Sequence, residues 1–374
     1  MDFNDNPTMA AFRVEVKSFL ADEIPDYFRR SPDEAGMMRD ITGRADEDFD
    51  AAMDVWRKRV AGKGWIAPAW PVEYGGAGLS VLEQFVVNEE FAQHHVPPTG
   101  GLGVMMAGPT IIAHGSEEQQ KEHLSGILSG ETIWCQGFSE PGSGSDLASL
   151  QTRAVRDGDD YLINGQKIWT SGAQMSNWMF CLVRTDADAP KHRGISYLLF
   201  PMDTPGVSVR PLTQMTGEAN FNEVFFEDVR VPVRNRIGEE NRGWYVGVTT
   251  LDFERSGIGS AVGVTQSVER MALFAVEVGA TANNPALRNV IVERAVEANV
   301  LTLLSYRVIT MQAQGLIPNY EASAAKLFST ELSQRMALTD TKIGGLYSQF
   351  LDRTTTYPRS RRGEIAHNYM AAVP

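Results

Sequence analysis

The sequence predicts an α+β protein: an N-terminal α-helical domain, a middle antiparallel β-barrel-like domain and a C-terminal helical bundle. Apolar residues recur at helical spacing as far as about Glu131, change to period two between Ile133 and Pro232, and return to helical spacing after Gly243. This α, β, α order contains no internal repeat and no low-complexity linker, which sets the expected domains at 1–132, 133–240 and 241–374. A chain of 374 residues is long enough to bury a substantial core without disulfides.

In the first domain Asn6 can cap a helix that starts at Pro7, with Phe12, Val16, Phe19 and Leu20 on one face. Phe49, Met53, Trp56 and Val60 repeat the pattern, which ends near Gly62 and Gly64. The stretch from Trp65 to Pro71 carries Pro68 and cannot be helical throughout, and Tyr74 to Gly78 reads as a turn before an amphipathic segment from Val81 to Phe91. His94 and His95 follow, yet no third ligand stands at helical spacing. The pair reads as solvated or capping rather than metal-binding.

The middle domain offers six strand-like runs: 152–156, 161–169, 178–184, 194–200, 207–212 and 221–231. Turn residues at 157–159, 189–190 and 204–206 link them. Asn164-Gly165 is a strong hairpin signal, so it is expected to turn the chain and send Trp169, Thr170 and Ser171 out on the returning strand. After Gly243 one helical segment runs from Trp244 to Val278, another opens at Asn284-Pro285 and reaches about Gln314, and a third covers 322–350. A partial fourth begins near Glu364.

Composition narrows the function. Hydrophobic content of 43% and charged content of 22% are those of a soluble globular enzyme. A formal charge of −13 argues against nucleic acid as a partner, while leaving room for a local basic patch. Cys135 and Cys181 show no metal spacing and no CxxC pairing, so buried inert thiols in a reducing compartment are expected. No apolar run is long enough to span a bilayer and no signal opens the chain, so the expected location is cytoplasmic.

The richest stretch runs from Trp134 to Ala173. It begins WCQGFSEPGSGSDLAS, where Gly142 and Gly144 let backbone N–H groups approach a ligand, and ends INGQKIWTSGA, which brings an indole and two hydroxyls. Together these segments resemble the flavin-binding signature of the acyl-CoA dehydrogenase family. The later NEVFFEDVRVP and LDFER segments stand in the family's order, and the resemblance covers the chain from about Phe12 to its end.

That resemblance implies an FAD enzyme that removes a proton from the carbon α to an acyl-CoA thioester and hydride from the β carbon. The product is the trans-2-enoyl-CoA of a β-oxidation or lipid-degradation step, and the electrons pass to an electron-transfer flavoprotein. Gln136, Phe138, Ser139, Gly144, Ser145, Trp169, Thr170 and Ser171 match the cofactor-binding positions. Ser145, Asp252 and Arg255 match positions that touch the substrate, and no metal is implied. Met105 and Met106 lie in a region that walls the acyl pocket in relatives, although filling a core gap explains either equally well.

For the base, Glu254 stands directly before Arg255, as in the isovaleryl and long-chain members, and the sequence reaches Pro374 without the Gly-Gly-Thr loop that accompanies the alternative base. Both observations point to Glu254. Gly257, Ile258 and Ala261 share its helical face, leaving room for something to approach. Two departures stand out: the Arg-x-x-Phe-Gly motif is missing around Phe274 to Gly279, and the C-terminal Gly-rich segment is not present. Arg359, Arg361 and Arg362 read as a solvated turn.

The family implies a homotetramer built through the C-terminal bundle, with a dimer or mixed tetramer as alternatives. Wording around GLGVMMAGPT tilts the substrate towards bulky, cyclic or steroid-derived acyl-CoAs. The competing functions are a flavin oxidase on the same fold, with nitroalkane oxidase and desulfinase as variants, and a non-catalytic acyl-CoA-binding subunit of a mixed tetramer.

Overall fold

The computed structural model describes residues 5–29, 47–254, 259–282, 284–352 and 357–372. By its contacts the chain forms two compact units, one joining Met1–Met38, Leu79–Pro97 and Arg255–Pro374, the other joining Arg39–Gly78 and Pro98–Glu254. Both are built from sequence segments that alternate along the chain.

The first unit is helical. Asn6 caps helix Pro7–Glu23 by accepting the Met9 N–H at 2.9 Å, and Val16, Phe19 and Leu20 are buried as the spacing requires. This helix packs on Val81–Gln93, whose Ser80 and Glu83 form a reciprocal capping box, and Val81–Gln93 packs in turn on Gly259–Glu277 and Pro285–Ala313. Asn319–Gly344 and Glu364–Ala371 complete the bundle around Met271, Ala275, Leu301, Leu332 and Ile365. The expected third helix ends early because Gly345 takes a left-handed φ of 59° and a short 3-10 turn, Gly345–Gln349, follows.

In the arginine run Arg359 is exposed, as expected of a solvated turn, Arg361 is half-buried, and the Arg362 side chain lies outside the described residues. Arg359 donates to the Val278 carbonyl at 2.9 Å, while Arg361 lies over the Phe274 ring at 5.4 Å and pairs with Glu364 at 3.2 Å. The turn therefore packs on the bundle.

In the same unit, Asp340 has one carboxylate oxygen buried without a hydrogen-bond partner. Burial pushes its carboxyl up to about 6, against the pull of Arg361 and Arg270 and with the Glu364 charge adding to the rise. A raised folded-state value means its contribution to stability is complete below the unfolded value of 3.8 and disappears as pH climbs through about 6. Asp340→Asn should therefore gain roughly 2 kcal/mol near pH 8 and nothing near pH 4, as thermal melts at the two pH values will show.

The second unit contains one sheet of eight strands: β1 (Trp134–Gly137), β2 (Arg153–Asp157), β3 (Asp160–Lys167), β4 (Trp178–Arg184), β5 (Ile195–Pro201), β6 (Val207–Leu212), β7 (Phe221–Pro232) and β8 (Arg236–Ile237). The order is β6-β7-β3-β2-β4-β5-β8, with β1 paired to β4. Pairing is antiparallel except that β1 and β2 both run parallel to β4. β5 occupies one whole edge of β4, so β1 and β2 must follow one another along the other edge. The residues between them are forced out of the sheet. Its core is Tyr161, Ile163, Met179, Cys181, Leu198, Phe200, Val224, Val229 and Val231.

Asn164-Gly165 is not a hairpin turn. The turn lies at Gly158, with a left-handed φ of 64°, and Asp157 faces Asp160 across it. Asn164 and Gly165 stay within β3, where the pairing with β7 shifts by one residue and Asn164 exchanges two hydrogen bonds with Asp228, both 3.0 Å. Glycine is needed at 165 because a Cβ would meet the Thr152 Cα at 2.8 Å. Keeping Tyr161 and Ile163 on the buried face outweighed the local turn preference.

Helices Glu47–Gly62, Glu117–Ser129 and Gly243–Glu254 belong to this unit, as does a π-helical turn, Gly103–Ala107, leading into Gly108–His114. The wider π turn changes the hydrogen-bond register, and the Trp70 indole N–H reaches the Val104 carbonyl at 3.1 Å. Met106 is buried and Met105 is half exposed.

Candidate active site

The Trp134–Ala173 stretch is assembled at the place where β1 ends and β2 has not yet begun. Beyond β1, Glu140 and Ser143 exchange backbone hydrogen bonds of 2.9 and 3.0 Å around Pro141 and Gly142. The Ser143 hydroxyl donates to the carbonyls of Asp146 and Leu147, and the Asp146 carboxylate pairs with Lys191. The turn is thus fixed from within, while Gly144 and Ser145 stay exposed with open space where a Gly144 Cβ would stand.

The second half of the stretch joins the first through a main-chain hydrogen bond, from the Ile168 N–H to the Ser139 carbonyl at 2.9 Å, and through the Lys167 side chain. Trp169 then adopts a left-handed backbone, φ 59°, and turns its indole outwards, 59% exposed and edge-on to Phe221. Thr170 follows. Its N–H donates to the Asn222 carbonyl, and the Asn222 side-chain amide donates to the Thr170 carbonyl at 2.9 Å. The Thr170 hydroxyl is buried and has no partner, and neither has the Asn222 side-chain oxygen. A buried hydroxyl in that state is suited to a ligand.

The remaining expected cofactor residues divide. Gln136 is half-buried in β1, and Ser171 is exposed beside Thr170. The Phe138 ring belongs to the core, edge-on to Phe180 and Tyr197. Structure thus brings Ser139, Trp169, Thr170 and Ser171 together, with Gly144 and Ser145 on the adjoining turn. Helix Gly243–Glu254 ends at the expected base, but the side chains of Asp252 and Glu254, and residues Arg255 to Ile258, lie outside the described residues.

Two features escaped the sequence reading. Lys167 is fully buried against Glu140, although its place on the inward face with Tyr161 and Ile163 was readable from the alternation. Asn222 likewise holds an inward position of β7 with Val224 and Phe226. Asn222→Ala leaves the Thr170 carbonyl without its side-chain donor and should lower stability by about 1–2 kcal/mol, measured by chemical unfolding. Elsewhere, burial pushes the Cys135 and Cys181 thiols up to about 12, and both are free and buried, as expected of inert thiols. His94 caps its helix through the Glu90 carbonyl at 2.8 Å. Among the described residues no cluster of His, Cys, Asp and Glu could hold a metal ion, and no helix is long and apolar enough to cross a membrane.

This arrangement of helices, sheet and signature loop defines a class. The family models of the acyl-CoA dehydrogenase N-terminal, middle and C-terminal domains match residues 6–131, 135–229 and 241–362. The chain belongs to the acyl-CoA dehydrogenase family, oxidoreductases that act on CH–CH groups and use FAD. Among individual relatives, it is 38% identical to "Acyl-CoA dehydrogenase IpdE1" of Mycobacterium tuberculosis, over 84% of this chain and 80% of that protein. Among solved structures, the "Tcur3481-Tcur3483 steroid ACAD" aligns over 100% of this chain and 93% of that one, with a TM-score of 0.81 and 31% identity. The ChsE4-ChsE5 complex from Mycobacterium tuberculosis aligns over the same shares, 100% and 93%, with a TM-score of 0.77 and 31% identity.

Proposed function

We propose that this chain is an FAD-dependent acyl-CoA dehydrogenase that converts a bulky, steroid-derived acyl-CoA to its trans-2-enoyl-CoA and delivers electrons to an electron-transfer flavoprotein. The observation that carries the cofactor reading is the buried, unpartnered Thr170 hydroxyl beside an outward-turned Trp169. Ser139, Ser145 and Ser171 supply further hydroxyl and N–H groups around it, and Gln136, Phe138 and Gly144 complete the set that would hold FAD. Bound there, FAD would accept hydride from the β carbon.

Glu254 is proposed to take the proton α to the thioester carbonyl, a task that needs a carboxylate raised by burial once the acyl chain excludes water. Asp252, Arg255 and Ser145 are proposed to hold the CoA arm. The steroid preference rests on the similarity to the Tcur3481-Tcur3483 steroid ACAD. Anaerobic titration of the yellow protein with short, long, branched and steroid acyl-CoAs tests it: bleaching only by the bulky thioesters supports the reading, whereas bleaching only by short straight chains sinks the substrate class. Rapid oxygen consumption with substrate would instead indicate an oxidase.

A homotetramer formed through the C-terminal bundle is the proposed assembly. Similarity to the Tcur3481-Tcur3483 steroid ACAD and to the ChsE4-ChsE5 complex favours a mixed tetramer as the second reading. Native mass of the purified chain, alone and with a co-expressed family member, separates the two.

A further inference from the structure

Glu140 and Lys167 lie beneath the signature loop. The Lys167 side chain has no exposed surface, that of Glu140 is 9% exposed, and Nζ stands 2.8 Å from Oε1. Lys167 also donates to the Phe138 carbonyl at 3.1 Å. The Glu140 carboxylate collects two backbone donors as well, the Gln151 N–H at 2.6 Å and the Thr152 N–H at 2.9 Å. Burial alone would raise the Glu140 carboxyl, but the Lys167 charge and these hydrogen bonds hold it below the ordinary carboxylate range.

What the two charges hold is informative. One ammonium and one carboxylate tie together the exit from β1, the root of the glycine-serine turn, the entry to β2 and the last residue of β3. These partners are main-chain groups at the ends of a loop that the sheet itself cannot hold, because β1 and β2 share one edge of β4. Their neighbours Ser139 and Ile168 carry the main-chain hydrogen bond between the two halves of the stretch, and Trp169 and Thr170 come next. An ion pair serving packing alone is replaceable by apolar residues, whereas one that gathers backbone donors is not.

We infer that Glu140 and Lys167 are positioning residues for the flavin: by fixing the 139–145 turn against Trp169–Ser171, they set the geometry of the cofactor cradle without touching the cofactor. This rests on the FAD reading proposed above. An amide at 140 accepts through one oxygen, so it cannot hold both the Gln151 and Thr152 N–H groups as the carboxylate does.

The test compares wild type, Lys167→Met, Glu140→Gln and the double variant Glu140→Gln/Lys167→Met, each with and without FAD. Either single change leaves a buried charge unmatched and should lower Tm, and the neutral double variant should recover part of that loss, the Gln151 or Thr152 N–H and the Phe138 carbonyl still lacking a partner. The double variant is nevertheless expected to bind FAD about tenfold more weakly. It should also show shifted flavin absorption and, without cofactor, about tenfold faster amide exchange across 139–145.

Recovery of Tm together with wild-type FAD affinity and wild-type exchange would overturn the inference. Should the neutral variants fail to fold, Glu140→Asp keeps the charges and shortens the reach; unaltered FAD affinity and exchange in that variant would equally overturn it. Failure of the wild type to take up FAD rejects the cofactor reading instead, and the exchange measurements on cofactor-free protein still decide the role of the pair.

Discussion

Glu254→Gln is expected to retain FAD and to lose about 10³-fold in the rate at which acyl-CoA bleaches the flavin. Glutamine keeps the shape of the side chain but cannot accept a proton at neutral pH, so the substrate would bind without losing its α hydrogen. The helix that ends at Glu254 is held firmly one turn earlier. The Thr250 hydroxyl lies 2.8 Å from that of Thr110, donates to the Val246 carbonyl, and reaches the buried Tyr197 hydroxyl at 3.4 Å. Stopped-flow bleaching under nitrogen is the measurement, and wild-type kinetics in the variant would transfer the role of base to another group.

Gly108→Ala should cost about 3 kcal/mol and lower Tm by roughly 6–12 °C. An added Cβ would stand 1.9 Å from the Trp70 ring, well inside van der Waals contact. Trp70 is 3% exposed and its N–H is committed to the Val104 carbonyl, so the ring cannot swing aside without leaving the π turn short of a donor. Gly101→Ala is the control, because nothing lies within 4 Å of the added carbon there. Equal melting temperatures for the two variants would show that the π turn gives way easily.

Much of the fold was legible because helix ends carry their own chemistry. Asn6 and Asn284 cap helices at the expected places, with Pro7 and Pro285 as first helical residues, and the last helix starts at Glu364. Strand β6 was readable from its alternation, and β4 from its continuous apolar run. Less legible were β1 and β8, which are short and depend on partners distant in sequence, and the parallel run of β1 along β4. At Asn164-Gly165 a local turn signal misled, because burial of neighbouring side chains outweighed it.

The candidate site shows the same division. The glycine-serine motif and Trp169-Thr170-Ser171 stood out through their resemblance to the flavin-binding signature. Lys167 and Asn222 did not, since a polar residue on an inward face acquires meaning only once its buried partners are known. The expected role of Phe138 was drawn from the signature, whereas its ring packs in the core.

The alternation of the two compact units along the chain has a consequence for biosynthesis. Every segment of the sheet-bearing unit has been made once Glu254 is polymerised, whereas Val81–Gln93, which carries helix Pro7–Glu23 on its other side, packs on a bundle that begins at Gly259. At ribosomal rates of roughly 5–20 residues per second, the earliest helices wait on the order of ten seconds or more for that bundle. Their apolar faces are the surfaces a chaperone would meet first on the emerging polypeptide.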